Sequence, residues 1–194
     1  MLRRRPFRRR PRPLRRLLHL AAPLPNRARQ ALMRANRLVA DGQCAEAAGI
    51  FEQLADRAES GDMPIRAAQL SLQAARAHLG AGDVEATVAR AKRALRLLAQ
   101  GGRPDHIPAV LDRITEALRD KGYNAEADQV EQVLEEIGLS LEEARRQTPR
   151  VPERRGTLPA GCGGCGAPLV PDDVEWHDAQ TAQCPYCGTI AKTT

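Results

Sequence analysis

A mainly α fold with a small β appendage follows from three observations in this 194-residue chain. Turn glycines recur every 40 residues, apolar stripes of helical period lie between them, and two close cysteine pairs stand near the end. Together they predict three stacked helical hairpins over residues 26–147 and a metal-stapled β module over 159–194. An N-terminal arm (1–25) and a linker (148–158) complete the layout.

The hairpins come first. Gly42, Gly82 and Gly122 stand 40 residues apart, and Ala47, Thr87 and Ala127 follow five places later, Leu54, Ala94 and Leu134 twelve places later. Self-similarity at this period marks an array in which each helix pair buries its apolar face against the next. Ala35, Leu38 and Val39 form the stripe of the first helix; Ala68, Leu72, Ala75 and Leu79 that of the third; Ile107, Val110, Leu111, Ile114 and Leu118 that of the fifth. The answering helices carry Ala47, Ile50, Phe51 and Leu54, then Val84, Val88, Ala91, Leu95 and Leu98, then Ala127, Val130, Val133, Leu134 and Ile137. Pro64 and Pro108 suit first turns, where a missing amide donor is tolerated, and Gly101-Gly102 and Gly138 suit helix ends. Interior alanines allow helix axes to approach closely.

The stretch Gly-x-Cys-x-Glu-Ala at 42–47, with Ile50-Phe51 and Leu54-Ala55, resembles the second half of a tetratricopeptide repeat (TPR), and Gly82-Asp83-Val84 with Ala94-Leu95 resembles it again. The likeness covers about residues 27 to 138. The six residues beyond the 34-residue TPR unit imply longer helices or loops. The resemblance implies a TPR-like α-solenoid that binds other proteins.

A short helix, Leu141-Glu142-Glu143-Ala144-Arg145-Arg146, is expected next, with Ser140 and Glu143 as a capping box. Between Arg150 and Pro159 almost no apolar residue occurs, so the C-terminal module is expected to move relative to the array.

In that module Cys162-Gly163-Gly164-Cys165 and Cys184-Pro185-Tyr186-Cys187 leave 18 residues between the pairs. Two such turns facing each other make a closed tetrahedral sulfur cage suited to one structural Zn2+, with Cys162, Cys165, Cys184 and Cys187 as ligands. Gly166 and Gly188 follow each pair, where the chain turns with positive φ so that amides point at the sulfurs. Val174 to Asp178 alternates like a half-exposed strand after a Pro171-Asp172-Asp173 turn. From Leu158 to about Ala191 the tail resembles a zinc ribbon, Cys-Pro-Tyr-Cys-Gly being typical of that family's second knuckle. The resemblance implies a small antiparallel unit around one zinc. About 35 residues cannot bury enough apolar surface to fold alone, so metal ligation supplies on the order of 10 kcal/mol.

Competing chemistry is less consistent with the residues. His177 is an alternative ligand, but four cysteines already satisfy the coordination number. Disulfides fit poorly with such regular pairs, and thioredoxin-like redox chemistry requires one pair in a βαβ setting. No phosphate loop, dinucleotide fingerprint, zinc-protease helix or serine elbow occurs, so no enzyme activity is expected. Cys44 reads as a small core residue, His78 and His106 carry no partner motif, and Glu126, Asp128, Glu131, Glu135 and Glu136 read as a solvated helical face.

Net charge is +6, and nine arginines lie between residues 3 and 16 with no acid before Asp41. Without those nine, 21 basic residues face 24 acids, a net of −3. Pro6, Pro11 and Pro13 argue for a disordered basic arm able to meet nucleic acid or an anionic surface. The 27 arginines against 3 lysines also match the codon bias of a GC-rich bacterial genome. No signal peptide and no transmembrane segment is apparent, so a cytoplasmic protein is expected.

Two functions follow as expectations. One is a non-enzymatic adaptor that binds protein partners through hairpins and zinc ribbon. The other is nucleic-acid binding through the basic arm, with Trp176 and Tyr186 stacking on bases. Against the second, Cys162 to Cys187 contains no Lys or Arg and four acids.

Overall fold

The computed structural model describes residues 25–147, 156–171 and 174–193. The basic arm and most of the linker lie outside the described residues, as does the Glu143 side chain of the expected capping box. Among the described residues eight helices run α1 (Asn26–Ala40), α2 (Cys44–Ser60), α3 (Pro64–Ala81), α4 (Val84–Gln100), α5 (Ile107–Asp120), α6 (Asn124–Glu131), α7 (Val133–Glu136) and α8 (Leu141–Gln147). A 3-10 turn at Pro104–His106 precedes α5. Three short strands follow: β1 (Glu175–Trp176), β2 (Thr181–Gln183) and β3 (Ile190–Lys192).

The 40-residue period is visible in the backbone itself. Gly42, Gly82 and Gly122 adopt φ of 78°, 82° and 86°, the left-handed conformation that only glycine enters freely. At each, the following amide reaches back across the helix end: Gln43 N–H to Leu38 O, Asp83 N–H to His78 O, and Tyr123 N–H to Leu118 O. These are Schellman-type closures, and they reverse the chain into the next helix. Pro64 and Pro108 occupy first-turn positions as expected, and the Asp83 carboxylate caps α4 by accepting from the Ala86 N–H.

The expected stripes are largely buried, and the differences are local. In α1 the stripe is Leu32, Ala35 and the half-buried Leu38, whereas Val39 is 42% exposed. As the outer helix, α1 has neighbours on fewer sides. The second helix of the third hairpin is broken at Gln132 into α6 and α7, still burying Ala127, Val130, Val133 and Leu134. Arg96 Nη2 on α4 holds α7 through Glu136 Oε2 at 2.5 Å.

Helix α3 is the centre of the molecule. It packs on α2 and on α4, and every residue from Arg66 to Ala75 is buried, including Gln69, Ser71 and Gln73. A hairpin helix with one apolar stripe would leave its other side wet. Here Gln73 meets the C-terminal module. The tail expected to move independently is instead joined to the helices by two hydrogen bonds, Asn36 Nδ2–H to Cys165 O (2.9 Å) and Gln73 Nε2–H to Tyr186 Oη (2.6 Å).

The module contains an antiparallel sheet of order β1-β2-β3, with Trp176 opposite Ala182 and Ala182 opposite Ala191. Asp178 shapes the β1–β2 turn by accepting from the Gln180 and Thr181 amides and the Thr181 hydroxyl. No described helix is long and apolar enough to cross a membrane.

Candidate metal centre

Each cysteine pair sits in a loop with the same hydrogen-bond frame, 22 residues apart. In the first, Cys162 N–H donates to Ala167 O and Gly166 N–H to Cys162 O; in the second, Cys184 N–H donates to Thr189 O and Gly188 N–H to Cys184 O. Gly166 (φ 74°) and Gly188 (φ 76°) make this frame possible. The two loops interlock: a Cβ on Gly164 would stand 2.2 Å from Thr189 Oγ1. The isolated Gly161–Pro168 bridge closes the first loop at its base.

The frame brings all four predicted ligands together. Cys162, Cys165, Cys184 and Cys187 are buried, and their sulfurs lie within 4.8 Å of one another. Cys162 Sγ is 3.5 Å from Cys187 Sγ, and Cys165 Sγ is 3.8 Å from Cys184 Sγ. A tetrahedral ion with metal–sulfur bonds of ~2.3 Å needs sulfurs about 3.8 Å apart, so the cluster fits one metal ion with little rearrangement. Gly164 N–H points at Cys162 Sγ (3.3 Å), and Thr189 Oγ1 lies 3.1 Å from Cys187 Sγ. Such donors stabilise thiolate charge.

Electrostatics inside the cluster agree with that role. Hydrogen bonds with Cys184 and Cys187, and burial, push the Cys165 thiol far above its ordinary range. Hydrogen bonds with Cys165 and Cys184 hold Cys187 well below it. For Cys184 the bond with Cys165 favours the thiolate, but the bond with Cys187 and burial prevail and push it up to about 12. Four thiolates cannot share so small a buried space without a cation. A bound divalent ion allows all four to ionise, and its uptake releases protons.

One cation already stands near. Arg66 is only 8% exposed, and burial lowers its pKa against the opposing pull of Cys187 and Cys184. Four thiolates around a divalent ion carry a net charge of −2, which a neighbouring guanidinium partly offsets.

Several residues important to the site were not singled out from the sequence: Asn36, Arg66, Gln73 and Thr189. Residues 67–75 contain no charge in a chain where 28% of residues are charged, and that uncharged run was the legible trace of a helix buried on all sides. Other expectations change as well. Tyr186 is 1% exposed, so it is not available for base stacking, and Trp176 Nε1–H donates to Pro171 O. Cys44 is half-buried beside Gly80. His78 does have partners, Glu52 Oε1 at 2.8 Å and Asp83 Oδ2 at 3.6 Å. The acidic face is partly paired, Arg119 bridging Asp128 and Glu131. Among the described residues the cysteine quartet is the one group arranged to hold a metal ion. His177 lies outside that group.

Compared with family models, curated proteins and solved structures, the chain matches none.

Proposed function

We propose that this chain is a non-enzymatic protein-interaction scaffold, a TPR-like hairpin array braced by a zinc ribbon that holds one structural Zn2+. The observation that carries the reading is the closed, buried quartet of cysteine sulfurs set against a stack of helical hairpins. Four thiolates saturate a tetrahedral zinc ion and leave no position for an activated water, which favours a structural over a catalytic metal. Soft sulfur donors in a tetrahedron select zinc over magnesium or calcium, which take oxygen ligands. Hairpin arrays present extended surfaces suited to peptides and helices of other proteins. A cytoplasmic setting accords with free thiols held for a metal.

Elemental analysis of gently isolated protein is expected to find one zinc per chain. Affinity capture with mass spectrometry, on wild type and on Cys184→Ser/Cys187→Ser, is expected to recover a stoichiometric protein partner from at least one form. Recovery of none from either, with the helices folded, would overturn the scaffold reading. The nucleic-acid alternative keeps only the basic arm and Trp176, because the burial of Tyr186 removes half of its stacking pair.

A further inference from the structure

We infer that the metal-bearing module is a latch on the helical scaffold: its ion keeps it seated on α1 and α3, and loss of the ion uncovers the inner face of α3.

Helical geometry separates α3 into two stripes. At 100° per residue, Ala68, Leu72, Ala75 and Leu79 form the side expected to face helical neighbours, while Arg66, Leu70, Gln73 and Ala77 lie opposite. Both stripes are buried, the second with exposures of 8%, 2%, 6% and 3%. Gln73 shows what meets the second stripe, since its amide donates to the hydroxyl of Tyr186, one of the two residues between Cys184 and Cys187. Arg66, one helical repeat earlier, feels the charge of those same two cysteines. From α1, Asn36 holds the backbone of the other pair through Cys165 O. All the named contacts therefore land on the metal-binding loops or beside them.

That placement couples docking to metal. Outside its three short strands the module is held by the two cysteine loops, and a segment of this size depends on ligation for most of its folding free energy. The surface that meets Gln73 then exists only while the ion is bound. Phe51, Leu54, Leu95 and Leu98 are buried within the hairpins, which are therefore expected to stay folded without the ion. By linkage, contacts made only in the docked state must also tighten the ion.

The inference rests on the metal assignment above, and the test separates the two. Full-length 15N-labelled protein is compared by NMR before and after chelation, alongside a metal-loaded Asn36→Ala/Arg66→Ala/Gln73→Ala variant. Chelation is expected to collapse the resonances of 156–193 and shift Arg66, Leu70, Gln73 and Ala77, leaving α5 and α6 in place. The triple variant is expected to keep one zinc per chain, to let the module tumble faster than the helices, and to hold zinc about ten-fold more weakly. Unchanged α3 resonances after chelation would overturn the latch, as would unfolding of the whole helical array with the module. Protein that carries no ion at all would instead sink the metal reading, and the latch with it.

Discussion

Gln73 on α3 donates a 2.6 Å hydrogen bond to the hydroxyl of Tyr186, 113 residues away, in a contact closed to solvent. Both partners are neutral, so neither brings the desolvation cost of a charge. Removing the hydroxyl deprives the amide of this acceptor. Tyr186→Phe leaves the Gln73 amide buried without its acceptor, and the expected loss is ~1–3 kcal/mol in denaturant unfolding at constant zinc content. Gln73→Leu/Tyr186→Phe together should recover part of that loss, because an apolar pair replaces a half-satisfied one. Equal stability of wild type and Tyr186→Phe would show that the contact is not closed in solution.

Gly163 and Gly164 are adjacent, yet they should respond in opposite ways. A Cβ on Gly163 meets nothing within 4 Å, whereas one on Gly164 meets Thr189 Oγ1 at 2.2 Å and Thr189 Cβ at 3.0 Å. Gly163→Ala is expected to bind zinc as wild type does. Gly164→Ala should separate the two loops and weaken zinc at least ten-fold in a competition titration with a chromogenic chelator. Equal affinities would show that the loops do not interlock.

Local chemistry was legible in the sequence, and long-range contact was not. Gly42, Gly82 and Gly122 announce their turns because positive φ is a property of one residue, and the cysteine pairs announce their cage because two ligands three apart already share a side. Nothing local marks Gln73 for Tyr186 or Asn36 for Cys165. The stripe Ala68, Leu72, Ala75 and Leu79 predicts one buried side of α3 and says nothing of what meets the side of Arg66 and Gln73, and a Pro- and Arg-rich stretch before the module suggested a free tether. The break at Gln132 was hidden for a related reason: the apolar period runs through it unchanged, while the backbone there gives way to a turn.

Asp62 shows where the array is imperfect. It adopts φ 55°, in the left-handed region, at the position that Gly102 (φ 73°) fills 40 residues later. Aspartate tolerates that conformation better than most residues, but glycine does so without a Cβ penalty. Asp62→Gly is expected to stabilise the protein by about 0.5–1 kcal/mol, a rise of about 1–4 °C in Tm. A fall in Tm would mean that the Asp62 side chain contributes more than its backbone costs.

The turn between β1 and β2 should carry an acid-sensitive contribution of its own. Asp178 accepts from the Thr181 hydroxyl and from the Gln180 and Thr181 amides, and these bonds, the hydroxyl first, hold its carboxyl below the usual range. A carboxylate whose pKa is lower folded than unfolded stabilises the fold fully above its unfolded value of about 3.9, and that contribution fades as pH falls through the folded value. NMR titration of the Asp178 carboxyl is therefore expected to show a midpoint below that of free aspartate. Asp178→Ala should lower the plateau near neutrality slightly, since the turn is exposed, and flatten the acid limb by the same small amount, because the contribution removed is the one that titrates. The sign discriminates: a midpoint above the free value would mean that the three donors do not reach the carboxylate in solution, and that Thr181 and Gln180 hold the turn by backbone pairing alone.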